Sequence, residues 1–181
     1  MRVSVFIATS LDGFIARTDG SLDWLDQANA TVPPGEDFGF QEFMDSVDVL
    51  IMGRKTFEKV LSFSQWPYGN KPVIVMSRRG IQVPAGLDAS VSVTSEKPED
   101  LYKRFVENGL KRLYIDGGLT IRGFLSAKLI SDLTITVIPV LLGSGIRLFA
   151  EDREDIDLKL ISNTAASNGF VQLKYETKYE L

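Results

Sequence analysis

Four clusters in this chain hold residue types suited to binding or proton chemistry. Gly53-Arg54-Lys55-Thr56 and Asp116-Gly117-Gly118-Leu119-Thr120 each follow a short apolar run and precede a helical pattern. A strand-to-helix junction of that kind presents free backbone N–H groups and the positive end of a helix dipole, which suits a phosphate. Glycine lets a ligand come close, and Arg54, Lys55 and Thr56 add cationic and hydroxyl donors. The same residues would also serve an ordinary helix start or tight strand–helix packing. The second junction is not a GxGxxG sequence, so it is no standard dinucleotide fingerprint. Ser77-Arg78-Arg79 closes a third apolar run, and its two cations could take the 2′-phosphate that separates NADPH from NADH. Solvated loop arginines are the plain alternative. Asp37 stands before a helical stretch, where a carboxylate could cap the helix.

A further cluster is Leu141-Leu142-Gly143-Ser144-Gly145 followed by Ile146-Arg147-Leu148-Phe149. Its glycines and serine could receive a ribose or phosphate with Arg147 as countercharge, or simply form a turn. Asp12 reads as a turn residue and Trp24 as a core aromatic.

The composition narrows the chemistry. The 181 residues contain no Cys and no His. Thiol nucleophiles, disulfides, thiolate or imidazole metal sites and serine–histidine pairs are thereby excluded. Acid–base work falls to carboxylates, Lys, Tyr or water, or a cofactor carries the reaction. With 20 Lys+Arg against 24 Asp+Glu, the net charge of −4 offers no basic face for nucleic acid. No apolar run approaches the roughly 18 residues a membrane span needs. The reading is a cytoplasmic protein without metal, nucleic-acid or membrane partners.

The elements that must position these clusters follow from periodicity. Arg2–Thr9, Asp48–Met52, Pro72–Met76, Ser90–Thr94 and Arg112–Asp116 read as buried strands. Helices are expected from Asp37 to about Ser46, Arg54 to about Phe63, Ser95 to Glu107, and after Gly118 through Lys128. Strands alternating with helices imply a mostly parallel α/β sheet covered on both faces. Leu133–Leu142 reads as a long strand with Pro139 at an end or bulge. Asp157–Ser162 and Gly169–Lys178 read as a C-terminal antiparallel hairpin. One domain, residues 1–181, is expected.

The order VSVFIATSLDGFIA, DGSLDWL, DFGFQEF, DVLIMGRKTFE, PVIVMSRR, LYIDGGLTIRGFL and ITVIPVLLGSGIRLF resembles the dihydrofolate reductase superfamily. Within it, the similarity is greatest to the C-terminal reductase domain of riboflavin-biosynthesis (RibD) proteins in its stand-alone bacterial form, and it spans Arg2 to about Phe149. The resemblance implies a dihydrofolate reductase-like fold and NADPH as cofactor. It places Gly53, Arg54, Lys55 and Thr56 at the cofactor phosphates, and Ser77, Arg78 and Arg79 at the 2′-phosphate. Gly117, Gly118, Leu119 and Thr120 would border the pyrophosphate, and Ala8 and Ile15 the nicotinamide. Asp37 would anchor the substrate and assist its protonation from a partly apolar cleft with its pKa raised, with Gly143, Ser144 and Gly145 on the substrate side. Homodimers are common in this branch, so a homodimer is expected.

The function implied is an NADPH-dependent reductase of a pteridine- or pyrimidine-like heterocycle. It would be most like 5-amino-6-(5-phosphoribosylamino)uracil reductase or dihydrofolate reductase. A non-catalytic NADP-binding regulatory or scaffold protein is the alternative. The zinc deaminase partner domain of bifunctional riboflavin proteins needs His and Cys, so this chain cannot deaminate by that route.

Overall fold

The computed structural model describes residues 1–149 and 154–179. In chain order it contains β1 (Arg2–Ser10), β2 (Phe14–Ala16), α1 (Asp23–Asn29), α2 (Phe40–Asp45), β3 (Val49–Gly53), α3 (Arg54–Leu61), β4 (Val73–Met76) and β5 (Val91–Thr94). There follow α4 (Pro98–Glu107), β6 (Arg112–Asp116), α5 (Gly118–Ser126), β7 (Asp132–Ile138), β8 (Ile146–Arg147), β9 (Asp157–Ala165) and β10 (Val171–Lys178). An eight-stranded sheet runs β5-β4-β3-β6-β1-β7-β10-β9, and β2 pairs with β8 in a separate ribbon. From β5 to β7 every pairing is parallel; β10 and β9 add on antiparallel.

Period-2 alternation sends each central strand's side chains to two cores. Val49 and Ile51 of β3 join Leu113 and Ile115 of β6 beneath Leu101 and Phe105 of α4 and Ile121 and Phe124 of α5. Leu50, Met52 and Tyr114 point the other way, against Met44 of α2 and Phe57 of α3. Helices therefore cover both faces, as the repeated strand–helix pattern requires. A third, smaller cluster of Trp24, Ile138 and Phe170 closes the sheet beside β7. No helix among the described residues is long and apolar enough to cross a membrane.

Several boundaries differ from the sequence reading, among them the start of α4 at Pro98 instead of Ser95 and the end of α5 at Ser126 instead of Lys128. β7 stops at Ile138 instead of reaching Leu142, because Pro139 has no N–H to continue the ladder. β9 continues past Ser162 to Ala165, held by β10 across an irregularity at Lys174/Tyr175. α3 ends at Leu61, short of Phe63, where Ser62 turns its hydroxyl onto the Lys59 carbonyl at 2.6 Å. α2 starts at Phe40, three residues after Asp37, with Gly39 at φ 77° in its cap position.

Candidate active site

Strands β3 and β6 are neighbours in register, Met52 opposite Asp116, so the two glycine junctions emerge side by side at the carboxyl end of the sheet. They interlock. A Cβ at Gly53 would sit 2.9 Å from Thr120 Oγ1 of α5, and a Cβ at Gly117 would run into Thr56 of α3. Gly117 also holds φ 88°, a left-handed conformation that a side chain would strain. Each threonine fills the space the opposite glycine leaves, and the N-termini of α3 and α5 converge. Neither end has a side-chain cap, so the first-turn N–H groups remain donors for an external acceptor.

That geometry changes the reason for the glycines. At Gly118 an added methyl would meet Ile15 Cδ1 at 3.0 Å and the Arg147 carbonyl oxygen at 3.3 Å. The expectation that a missing side chain at Gly117 and Gly118 makes room for a ligand is therefore corrected: protein atoms fill the space a Cβ would take, and the junction leaves open its uncapped first-turn amides. Leu119, 71% exposed in the first turn of α5, lies on the solvent side of the same junction.

The flanking cations fall into two groups. Arg54 Nη1 donates to Glu58 Oε1 at 2.6 Å along the surface of α3, so here its charge is already engaged. Lys55, Arg78 and Arg79 are exposed. Ser77 shapes the turn that presents the arginine pair: its Oγ donates to the Arg79 carbonyl at 2.8 Å and accepts the Arg79 N–H at 3.1 Å.

Ala8 and Ile15 are both half-buried. Ala8 packs beside the Trp24–Ile138–Phe170 cluster, and Ile15 joins the larger core next to Gly118. Trp24 is 4% exposed, as a core aromatic should be, although its indole N–H finds no acceptor among the described residues.

Asp37 is a backbone acceptor. Its Oδ1 takes the Gly39 N–H and its Oδ2 the Gln41 N–H, both at 2.9 Å. The carboxylate is exposed, and those two amides hold its pKa below the ordinary carboxylate value. The expected raised pKa in an apolar cleft is thus overturned. Asp37 stays ionised at neutral pH and suits accepting hydrogen bonds, not giving a proton.

The carboxyl that can hold a proton is Asp116, quoted in the glycine motif but given no role by the sequence reading. Its only hydrogen bond among the described residues comes from the Gly117 N–H at 2.8 Å. Burial pushes its pKa up to about 6, against the lowering effect of that amide. Its charge and their own burial also raise the Tyr68 and Tyr114 hydroxyls. A carboxylate closing the short, mostly apolar strand RLYID was the available signal.

Beside it runs an aromatic wall that sequence reasoning also missed. Phe6 of β1 meets Phe40 edge-on at 5.4 Å and Phe43 at 5.0 Å, and Phe43 meets Tyr114 at 5.1 Å. Tyr114 donates to the Phe6 carbonyl at 2.9 Å, tying β6 to β1. Phe38 stacks on Phe170 at 5.5 Å, and Gln172 Nε2 holds the Phe38 carbonyl at 3.0 Å. Phe40 and Phe43 are three residues apart in α2, a helical spacing that puts them on one face, but their pairing with Phe6 needs the tertiary fold.

The loop holding Gly143, Ser144 and Gly145 packs against β2, and the Leu142 and Gly143 amides at its start are already engaged. Asp12 accepts the Leu142 N–H at 3.1 Å and the Gly143 N–H at 2.7 Å. The expectation that this loop cradles a ribose or phosphate is corrected at these two amides, which an internal carboxylate occupies. Arg147 sits over the Phe14 ring, 4.7 Å from its centroid.

The family model of the RibD C-terminal domain matches residues 2–172. YwjB of Bacillus subtilis (strain 168), itself uncharacterised, is 36% identical over 94% of this chain and 95% of its own. A protein of Shewanella sp. PV-4 named for riboflavin biosynthesis superposes with a TM-score of 0.91 at 41% identity, over 99% of this chain and 100% of that one. A bifunctional deaminase/5-amino-6-(5-phosphoribosylamino)uracil reductase from Thermotoga maritima shares the fold, with a TM-score of 0.74 at 14% identity. This chain covers 56% of its length.

Proposed function

Because this chain belongs to the RibD C-terminal domain family, we propose that it is an NADPH-dependent reductase of a pyrimidine- or pteridine-like heterocycle. The observation that carries the proposal is the reciprocal seating of Thr56 on Gly117 and Thr120 on Gly53. It brings two uncapped helix N-termini together at the end of a parallel sheet, the arrangement that accepts the phosphates of a dinucleotide. The donors fit that group: first-turn amides of α3 and α5, Lys55, and the exposed Arg78 and Arg79 for a 2′-phosphate. When bound, the reduced nicotinamide supplies a hydride, which needs no histidine.

The chain's own part is binding, orientation and proton placement. Ala8 and Ile15 offer apolar surface to the nicotinamide end, and the Phe6–Phe40–Phe43 wall offers flat aromatic surface to a planar heterocycle. Asp37, ionised, accepts from ring or exocyclic N–H groups. Asp116, with a pKa near 6, can hold a proton at the same end of the sheet. The homodimer belongs to the proposal, and the exposed Leu158, Leu160 and Ile161 of edge strand β9 offer it an apolar surface.

The test is calorimetric titration with NADPH and NADH, followed by a substrate panel that includes the ribosylaminopyrimidine and dihydrofolate, read as loss of reduced-nicotinamide absorbance. Tight NADPH binding with turnover of one heterocycle is the expected result. Failure to bind NADPH refutes the proposal, and binding without turnover across the panel favours a regulatory NADP-binding protein.

A further inference from the structure

The segment from Ser10 to Ala16 packs against a stretch about 130 residues later in the chain. Leu11 N–H donates to the Val140 carbonyl at 2.9 Å, and Leu148 N–H to the Gly13 carbonyl at 3.1 Å. Phe14 pairs with Arg147 and Ala16 with Ile146 in the β2–β8 ribbon. Gly145 fits against the Ala16 carbonyl and the Phe14 ring, where a Cβ would collide. At the open end of this contact stands one charged side chain. Asp12 reaches across with both oxygens, Oδ1 to Leu142 N–H and Oδ2 to Gly143 N–H, while Ser10 Oγ donates to Oδ1 at 2.6 Å. The same Ser10 Oγ accepts the Phe14 N–H at 2.9 Å.

A carboxylate taking a hydroxyl and two amides is a charge-assisted clamp, stronger than the neutral backbone bonds beside it. Its ionised form is favoured, with the pKa held down to about 2 chiefly by Ser10 and then by the Gly143 and Leu142 amides. The clamp therefore stays engaged across the working pH range. It lies three residues from Ile15, and Ile15 in turn packs where a Cβ on Gly118 would stand, at the N-terminus of α5.

We propose that Asp12 is a positioning residue: by latching the Ser10–Ala16 segment to Leu142-Gly143, it fixes Ile15 against the α5 junction and so aligns the nicotinamide end of the cofactor without touching it. This rests on the NADPH reading above and adds a division of labour. The adenosine half is assigned to the α3, α5 and Arg78–Arg79 donors, whereas Asp12 itself accepts from Ser10, Leu142 and Gly143. The nicotinamide half depends on the latch.

The variants Asp12→Asn and Asp12→Ala test this by two measurements. Asn keeps one acceptor oxygen and the shape, so it should fold and retain part of the clamp; Ala removes it. Hydrogen exchange at the Leu142 and Gly143 amides should speed up at least about tenfold in Ala and less in Asn. Calorimetry should show NADPH binding weakened by about tenfold in Ala and by an intermediate amount in Asn. Adenosine 2′,5′-bisphosphate, which lacks the nicotinamide, should bind all three proteins alike. Equal losses for both ligands, or unchanged amide exchange, would overturn the latch. Wild-type protein that binds neither ligand would instead refute the cofactor reading, and would take the alignment role with it.

Discussion

Replacing Asp116 by Asn tests the electrostatics at the centre of the site. Burial raises the carboxyl to about 6, against an ordinary value of 3.8. A difference of about two pKa units corresponds to roughly 3 kcal/mol between the protonation states. The folded protein holds this proton more tightly than the unfolded chain. Its contribution to stability is therefore full below about pH 4 and is lost as pH rises through about 6. Asn cannot ionise, yet its side-chain oxygen can still accept the Gly117 N–H. Urea denaturation of both proteins between about pH 4 and pH 8 cancels the other carboxylates, leaving the difference. That difference should open in favour of the variant by about 3 kcal/mol, mostly between pH 4 and 6. A cofactor arm reads the same charge: wild-type NADPH affinity should fall as pH rises through 6, because an ionised Asp116 sits beside the amides that face phosphate, and the variant should lose that fall. A constant stability difference across pH would show that Asp116 titrates as an ordinary carboxylate, and one that grows in favour of wild type as pH rises would show a lowered pKa; either outcome refutes the raised pKa.

Asp37→Asn should change stability by no more than a few tenths of a kcal/mol, since Asn also caps helices well, while slowing turnover or raising KM; normal kinetics would leave Asp37 as a cap alone. Gly117→Ala should cost on the order of 1–3 kcal/mol in thermal or chemical denaturation, from its positive φ and the collision with Thr56, and a variant as stable as wild type would contradict the interlocked junction. Replacing Arg78 and Arg79 together by Ala should weaken NADPH far more than NADH in calorimetry, and equal losses would remove them from the 2′-phosphate.

The parallel core was legible because its signals are local and repeated. DVLIM, PVIVM and RLYID are short, mostly apolar runs, each followed by a small residue, and each became a strand of the main sheet. The same locality explains the errors. Whether a strand passes Ser162 depends on the partner that β10 provides, and whether α2 begins at Asp37 or Phe40 depends on Gly39 adopting a left-handed conformation. Neither is written in the periodicity of the segment itself.

At the site, position was legible and environment was not. The two glycine junctions could be assigned to one end of the sheet from spacing, because parallel strands carry their carboxyl ends together. What each carboxylate does there depends on which backbone amides and apolar walls surround it after folding. Asp37 ends among free amides of a helix start and is driven acidic; Asp116 ends a buried strand with one amide and is driven the other way. Asp12, which read as a turn residue, finds its acceptor role 130 residues along the chain. The three aspartates have the same chemistry in the sequence and part company in the fold, Asp12 and Asp37 driven down and Asp116 driven up. Any acid–base assignment for this site therefore follows from burial and amide count, with Asp116 as the carboxyl able to carry a proton near neutral pH.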